Sequence, residues 1–174
     1  MEQVILVNIN DEHLGSMEKM EAHRKGLLHR AFSIFIFNDK KEMLLQQRAV
    51  SKYHSGGLWT NACCSHPRPG ESTINAAERR LFEELGFVTS IEKIFDFQYS
   101  ANFDNGLTEN EFDHVFAGNY NGKIIANPTE VQDFCYKPVE EIELTINTHP
   151  HKFTAWFCIA FPNVMEWMKD HSKV

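Results

Sequence analysis

No stretch of this 174-residue sequence is apolar for long enough to span a bilayer, since its longest hydrophobic runs are short and interrupted. Met1-Glu2-Gln3 runs straight into the strand-like Val4-Ile5-Leu6-Val7, without the basic opening and small-residue cleavage site of a signal peptide. No internal repeat, low-complexity tract or linker is visible. The length suits one domain, residues 1–174, with its own core. Positive charge is in short supply: the net charge is −7, which argues against a broad nucleic-acid surface but leaves room for local basic clusters around a small anion. Cysteine is scarce as well. Of the four, Cys63 and Cys64 are neighbours while Cys135 and Cys158 lie far off, which makes no disulfide framework and fits reduced thiols in a cytoplasm.

What is present reads as a soluble globular protein, 43% hydrophobic and 24% charged. Residues 30–38 (R-A-F-S-I-F-I-F-N) predict a strand, a turn follows at Asn38-Asp39-Lys40, and a second strand passes through Leu44-Leu45-Gln46-Gln47. Residues 49–58 form a polar loop carrying Gly56-Gly57. Residues 59–65 predict one short strand, closed by the turn Pro67-Arg68-Pro69-Gly70. Residues 71–85 predict the clearest helix, with Ser72 as N-cap, an apolar stripe of Ala76, Ala77, Leu81 and Leu85, and Gly86 at its end. Strands are predicted over 94–100, 109–117 and 133–136, the first two joined by a loop holding Asp104-Asn105-Gly106. Residues 153–168 have helical periodicity interrupted by Pro162. Strands with few, late helices predict an α+β domain.

In the clearest helix, Glu84 follows Arg80 by four residues and shares its face. One reading is a surface ion pair. Another is that Glu84 holds a divalent cation while Arg80 meets a phosphate beside it, since magnesium favours one or two carboxylates together with phosphate oxygens. The pattern Glu71-x7-Arg79-x3-Glu83-Glu84-x-Gly86-Phe87 resembles the Nudix box of diphosphate-handling enzymes. Two positions depart from it: Ser65 stands where the box starts with Gly, and Arg80 stands where a metal-binding Glu belongs. Exchanging that carboxylate for a guanidinium removes a negative ligand and adds a phosphate donor.

Two short segments carry further chemistry. Cys64 and His66 are two apart, as are Glu109 and Glu111, so on strands each pair shares a face. If both strands faced one pocket they would unite a thiol, an imidazole and two carboxylates. With His23 and His29 upstream, the set becomes three imidazoles and two carboxylates, a mixed nitrogen and oxygen site suited to Mn²⁺, Zn²⁺ or, less naturally, Mg²⁺. Taken singly, each of these residues also fits a surface or core role.

Together these segments resemble type I isopentenyl diphosphate isomerases. The resemblance is carried by Trp59-Thr60-Asn61 running into Cys64-Ser65-His66-Pro67, by Glu109-Asn110-Glu111, by Gln47-Arg48-Ala49-Val50-Ser51-Lys52, by Phe97-Gln98-Tyr99 and by Phe153-Thr154-Ala155-Trp156. It extends from about residue 4 to about residue 165. It implies a Nudix-like α/β/α sandwich with a mixed central sheet, and a reaction that moves a double bond by protonating a C5 alkene to a tertiary carbocation and removing a proton from the opposite side. Cys64 and Glu111 are the implied acid and base, with neither assigned to one role. Tyr99 is implied to hydrogen-bond Glu111, and Trp156 to turn its ring to the carbocation. The implied ligands of a first metal, Mn²⁺, Zn²⁺ or Mg²⁺, are His23, His29, His66, Glu109 and Glu111. Lys19, Arg48, Lys52 and Arg80 are implied to grip the diphosphate, with Mg²⁺ bridging from Glu84 and the backbone carbonyl of Cys64. The implied partner is isopentenyl diphosphate alone, with no nucleic acid or membrane, on a cytoplasmic monomer or weak homodimer. A Nudix-type diphosphate hydrolase is the alternative, which the arginine at position 80 disfavours. Cys63 is expected to point to the opposite face from Cys64, His149-Pro150-His151 is expected to be loop, and the N-terminal segment is a candidate lid over the substrate.

Overall fold

A computed structural model describes residues 1–171. Its centre is β3 (His29–Phe37), a strand with almost every side chain buried. Phe32, Ile34 and Ile36 point to one face and Phe35 and Phe37 to the other, so both faces must be covered. The helix α2 (Thr73–Leu85) covers the first face through Ala76, Ala77, Leu81 and Leu85. The helix α4 (Ala155–His171) covers the second through Trp156, Phe157, Ala160, Phe161 and Val164, running on through Pro162. The result is the α/β/α sandwich with a mixed sheet that the resemblance implies.

Around β3 the sheet grows in several directions. β8 (Thr108–Asn119) pairs with it in parallel from His29↔Glu111 to Phe37↔Asn119, and β7 (Ile91–Asn102) pairs antiparallel with β8 on the outside. β1 (Gln3–Val7) touches β3 at Leu6↔His29 and carries β2 (His13–Glu18) on its other edge. β4 (Met43–Arg48) follows β3 through a turn and pairs with β9 (Val131–Lys137).

Residues 59–65 are two strand pieces rather than one. β5 (Trp59–Thr60) pairs with β4, and β6 (Cys63–Ser65) pairs with β3. The break falls at Asn61-Ala62, where the buried Asn61 amide donates to the carbonyls of Ile34 and Cys63 and so fills the sheet bonds that the backbone gives up. The helices are neither few nor all late: α1 (Lys19–Lys25) and α3 (Val139–Thr148) were not expected. α1 is too short and polar to show an apolar stripe. It is held by Glu18, which accepts from the amides of Met20 and Glu21, and by the left-handed Gly26. α3 buries only Ile142.

The helix α2 begins and ends as read. Ser72 Oγ accepts from the Asn75 amide at 3.3 Å, and Gly86 at φ 72° donates to the Phe82 carbonyl. Position 86 tolerates nothing larger, because a Cβ there would lie 2.6 Å from the Ile125 carbonyl oxygen. No helix among the described residues is long and apolar enough to cross a membrane.

Candidate active site

Strand register builds the heart of the site. Tyr99 on β7, Glu111 on β8 and His29 on β3 are directly opposite one another across three neighbouring strands, so their side chains form a row on the face covered by α4. Tyr99 Oη lies 2.6 Å from Glu111 Oε2 and 2.8 Å from Glu109 Oε2. One phenolic proton cannot serve two carboxylates, so one of them must itself carry a proton. Burial, followed by repulsion from Glu111, pushes Glu109 well above the usual carboxylate range. Burial acts on Glu111 in the same direction but is outweighed by His29 and His66, which hold it well below that range. Glu109 is therefore the protonated partner and Glu111 the carboxylate.

Four buried imidazoles gather beside this row. His23 on α1 sends Nδ1 to the Lys19 carbonyl at 2.7 Å, and His29 sends Nδ1 to the Leu27 carbonyl at 2.8 Å. Each carbonyl accepts from Nδ1 and turns Nε2 towards the interior. Both Nε2 atoms are buried without a hydrogen-bond partner. Burial lowers His29, but Glu111, with Oε1 3.4 Å from its Nε2, outweighs this and raises it above its ordinary value. His66 brings Nε2 to within 2.8 Å of Glu111 Oε1. Burial lowers both His23 and His66 to about 4, so these rings are neutral at ordinary pH. Ligand atoms of His23, His29, His66 and Glu111 all fall within 4.8 Å of one another. Three imidazoles and a carboxylate with ligand atoms this close together are a donor set that a divalent cation can use, and for His23 and His29 a backbone carbonyl orients the ring from its other nitrogen.

The fifth member of the expected set sits apart. Glu109 does not join that group but forms one with His23 and His54. His54 is the histidine that sequence reasoning missed, because it lies in the loop taken as polar. It is nevertheless only 5% exposed. The loop folds back on the sheet: the Arg48 amide donates to the Leu58 carbonyl, and Gly56 packs so closely that a Cβ would lie 2.5 Å from the Val50 carbonyl oxygen. The pattern Tyr53-His54-Ser55-Gly56-Gly57, an aromatic and an imidazole before two glycines, was the available signal.

Cys64 faces the same cavity. It is opposite Ser33 in the β3–β6 register, and its Sγ lies 3.8 Å from Ser33 Oγ, which donates to Asp113 Oδ2 at 2.8 Å. The Trp156 indole N–H donates to Sγ at 3.0 Å, and the thiol itself donates to Asn61 Oδ1 at 3.0 Å. Burial, then the Asp113 charge, pushes the Cys64 thiol up to about 12, so it holds its proton at neutral pH. Arg48, Cys64, Tyr99, Glu109, Glu111 and Trp156 are among the residues enclosing a space of about 20 Å³. That is room for little more than one water, so a C5 substrate must displace part of the wall. Trp156 does more than was expected of it, since its N–H engages Cys64 while its ring sits 5.2 Å from the Arg48 guanidinium.

Of the residues expected to hold a diphosphate, Arg48 lines this cavity, and Lys19, Lys52 and Arg80 are engaged in ion pairs. Arg80 contacts Glu84 at 2.5 Å, Glu83 at 2.8 Å and Glu130 at 3.4 Å. Glu130 also pairs with Lys52, so one unanticipated carboxylate bridges two of the expected basic groups. Lys19 pairs with Glu2 and lies over the Tyr53 ring. The Arg80–Glu84 ion pair is thus formed, but not on a solvated surface: Glu84 is 3% exposed and also accepts from the Gln46 amide at 2.9 Å. Cys63 packs on the α2 face and Cys64 on the α4 face, as expected. His149 and His151 are exposed at a short 3₁₀ turn and join no metal-ligand group among the described residues.

This fold and this helix define a NUDIX domain, and a model of the NUDIX domain matches residues 27–157. Solved structures agree on the fold. A crystal structure from Deinococcus radiodurans superposes with a TM-score of 0.78 at 18% identity, covering 93% of this chain and 98% of that one. A MutT protein from Methanosarcina mazei gives 0.67 at 19% identity over 82% of this chain and 96% of its own. Curated relatives are far more similar in sequence. An isopentenyl-diphosphate Delta-isomerase of Pectobacterium atrosepticum is 47% identical over 95% of this chain and 92% of its own length. Isopentenyl-diphosphate Delta-isomerase 1 of Aromatoleum aromaticum is 50% identical over 89% and 88%. Isopentenyl-diphosphate Delta-isomerase 2 of Photorhabdus laumondii is 44% identical over 97% and 98%. The chain belongs to the isopentenyl-diphosphate Delta-isomerase family.

Proposed function

We propose that this protein interconverts isopentenyl and dimethylallyl diphosphate by proton addition at one face of the C5 alkene and proton removal at the other. The observation that carries the reading is that Cys64 and Glu111 line one small cavity with opposite proton status, a buried thiol that keeps its proton and a carboxylate that has lost its own. An unactivated alkene is a poor base, so protonation needs an acid held in place and water kept out. Cys64 is oriented for this by Trp156 N–H and Asn61 Oδ1, and Glu111 by Tyr99 and His66. The pairing fits Cys64 as the donor and Glu111 as the acceptor in one direction, with the roles exchanged in reverse. The faces of Trp156 and Tyr99 supply π-density to a cationic carbon between the two groups.

His23, His29, His66 and Glu111, with Glu109 close by, are the residues to hold a divalent cation, Mn²⁺, Zn²⁺ or Mg²⁺, which when bound acidifies groups at the carboxylate it touches. Arg48, Lys19, Lys52 and Arg80 take the diphosphate. Glu84 and the Cys64 carbonyl would hold a Mg²⁺, which would supply positive charge to the phosphate oxygens, while Arg80, now paired with Glu84, would donate to them. The small cavity supports entry by movement of the wall, and Glu2, just before β1 and paired with Lys19, is the contact that an arriving diphosphate replaces. The working unit is one domain acting as a monomer or weak homodimer in the cytoplasm.

Incubating the metal-loaded protein with isopentenyl diphosphate should give dimethylallyl diphosphate without released phosphate. Released phosphate with no isomer would instead support the hydrolase reading, which lacks the carboxylate that Arg80 replaces.

A further inference from the structure

Two buried hydroxyls, of Thr60 and Thr154, have no part in the site so far, yet both are bonded into it. The direction of each bond is fixed. Both protons of the buried Asn61 amide go to carbonyls, of Ile34 at 3.1 Å and of Cys63 at 2.9 Å, so the oxygen is the end that meets Cys64. That oxygen only accepts, so Thr60 spends its one hydroxyl proton on Asn61 Oδ1 at 2.9 Å. The 2.8 Å contact between Thr60 Oγ1 and Thr154 Oγ1 must then use the proton of Thr154. Thr154 stands immediately before α4, where a threonine ordinarily turns its oxygen to the amides of its own helix. Here the hydroxyl turns to β5 instead.

Trp156 is two residues further on. Its N–H donates to Cys64 Sγ, and the thiol's own proton goes to Asn61 Oδ1. The bonds therefore close a ring. The start of α4 reaches the sulfur through Trp156, and through Thr154 and Thr60 it reaches the amide oxygen that receives the thiol's proton. A backbone bond from the Thr154 amide to the Trp59 carbonyl, 3.0 Å long, runs beside the hydroxyl pair. We propose that Thr60 and Thr154 are positioning residues for proton transfer at Cys64. This rests on reading Cys64 as a proton-transfer group. Thr154 pins the start of α4 so that the Trp156 N–H stays on the sulfur. Thr60 acts as the proton leaves: the S–H bond breaks with its electron pair kept on sulfur, the alkene's π pair takes the proton, and Asn61 Oδ1 loses one of its two donors. Thr60 remains as the other. Without it a buried acceptor would face a thiolate unpaired, a cost that falls on the transfer step and not on substrate binding.

The test combines steady-state isomerisation by the full, metal-loaded chain with ¹H–¹⁵N spectra of its tryptophan indoles, the Trp156 signal being identified by its loss in Trp156→Phe. Thr60→Val and Thr154→Val keep the shape and delete a hydroxyl, while Thr60→Ser and Thr154→Ser return it. In each Val variant kcat should fall by about 3- to 10-fold, the worth of one hydrogen bond, with KM for isopentenyl diphosphate within about twofold of the parent. The Trp156 indole signal should move in Thr154→Val, and the Ser variants should recover both readouts. Thr154→Val carries the same test should Thr60→Val not fold. Parent values of kcat in both Val variants overturn this inference and leave the isomerase reading standing. A loss that the Ser variants share, or one confined to KM, does the same. A parent protein that turns over no isopentenyl diphosphate overturns both.

Discussion

The indole N–H of Trp156 points at Sγ of Cys64 from 3.0 Å, and the same indole meets the Arg48 guanidinium with its ring at 5.2 Å. One side chain thus touches both the proton-transfer group and a residue of the expected diphosphate grip. A hydrogen bond to sulfur favours the thiolate, so this contact opposes the burial that pushes Cys64 up to about 12. Trp156→Phe keeps an aromatic wall and deletes the donor. Thiol alkylation followed against pH should show Cys64 titrating higher still, and kcat should fall by about tenfold, on the scale of an acid–base contribution partly lost. Cys64→Ala should remove isomerisation outright, while Cys64→Ser retains a weak residue of it. An alkylation profile unchanged in Trp156→Phe would separate the indole from the thiol's acidity.

Tyr99 is a positioning residue, since its phenol spans Glu109 and Glu111. In Tyr99→Phe the two buried carboxylates lose the group that sets which of them holds the proton. We expect kcat to drop by about 10- to 100-fold with KM for the diphosphate nearly constant, because the phenol hydrogen-bonds the two carboxylates and none of the basic residues. The pH profile of kcat should shift at its acidic limb. A change confined to KM would place Tyr99 in substrate binding instead.

Much of this was legible because it follows from short-range spacing. Ser72, the apolar stripe and Gly86 mark α2, and the alternation of residues 30–38 marks a strand buried on both faces. Cys64 and Glu111 were identified through their motifs, yet what brings them together is the pairing of β3 with both β6 and β8, and no spacing along the chain encodes that. His54 and Glu130 escaped for the same reason. Each lies in a segment whose local composition is that of a solvated loop, and each becomes part of the site only when the loop packs against strands distant in sequence. The helix α1 was missed because it is stabilised by caps and by burial of Ala22 and His23 rather than by periodicity.

Arg80 makes ion pairs with Glu83, Glu84 and Glu130 at the position where the Nudix box carries a glutamate. Arg80→Glu restores the box residue but sets like charges against three carboxylates, so it should weaken the diphosphate site rather than create a hydrolase. KM for isopentenyl diphosphate should rise at least about tenfold, the cost of one lost charge-assisted contact. Phosphate release should stay at background. Appearance of phosphate above that of the unaltered protein would mean that the box needs only this one carboxylate to hydrolyse.

Away from the site, His114 on β8 offers a test of pH dependence that metal binding does not touch. Its Nε2 lies 2.9 Å from Asp11 Oδ2, and Asp11 is held independently by Arg30 at 2.7 Å. Burial, reinforced by the Lys93 charge, lowers His114 below its ordinary 6.5 despite the pull of Asp11 in the other direction. A histidine lowered by folding stabilises the protein in its neutral form. Its contribution is complete above the unfolded value near 6.5, and it is lost as pH falls through that value towards the folded one. His114→Asn lacks this proton. The stability difference between the parent and this variant, from urea unfolding at several pH values, should therefore be flat above about pH 7 and shrink below about 6.5. The steepest slope one group can give is about 1.4 kcal/mol per pH unit. A difference that grows on acidification would mean that the Asp11 contact outweighs burial, with His114 raised rather than lowered in the folded protein.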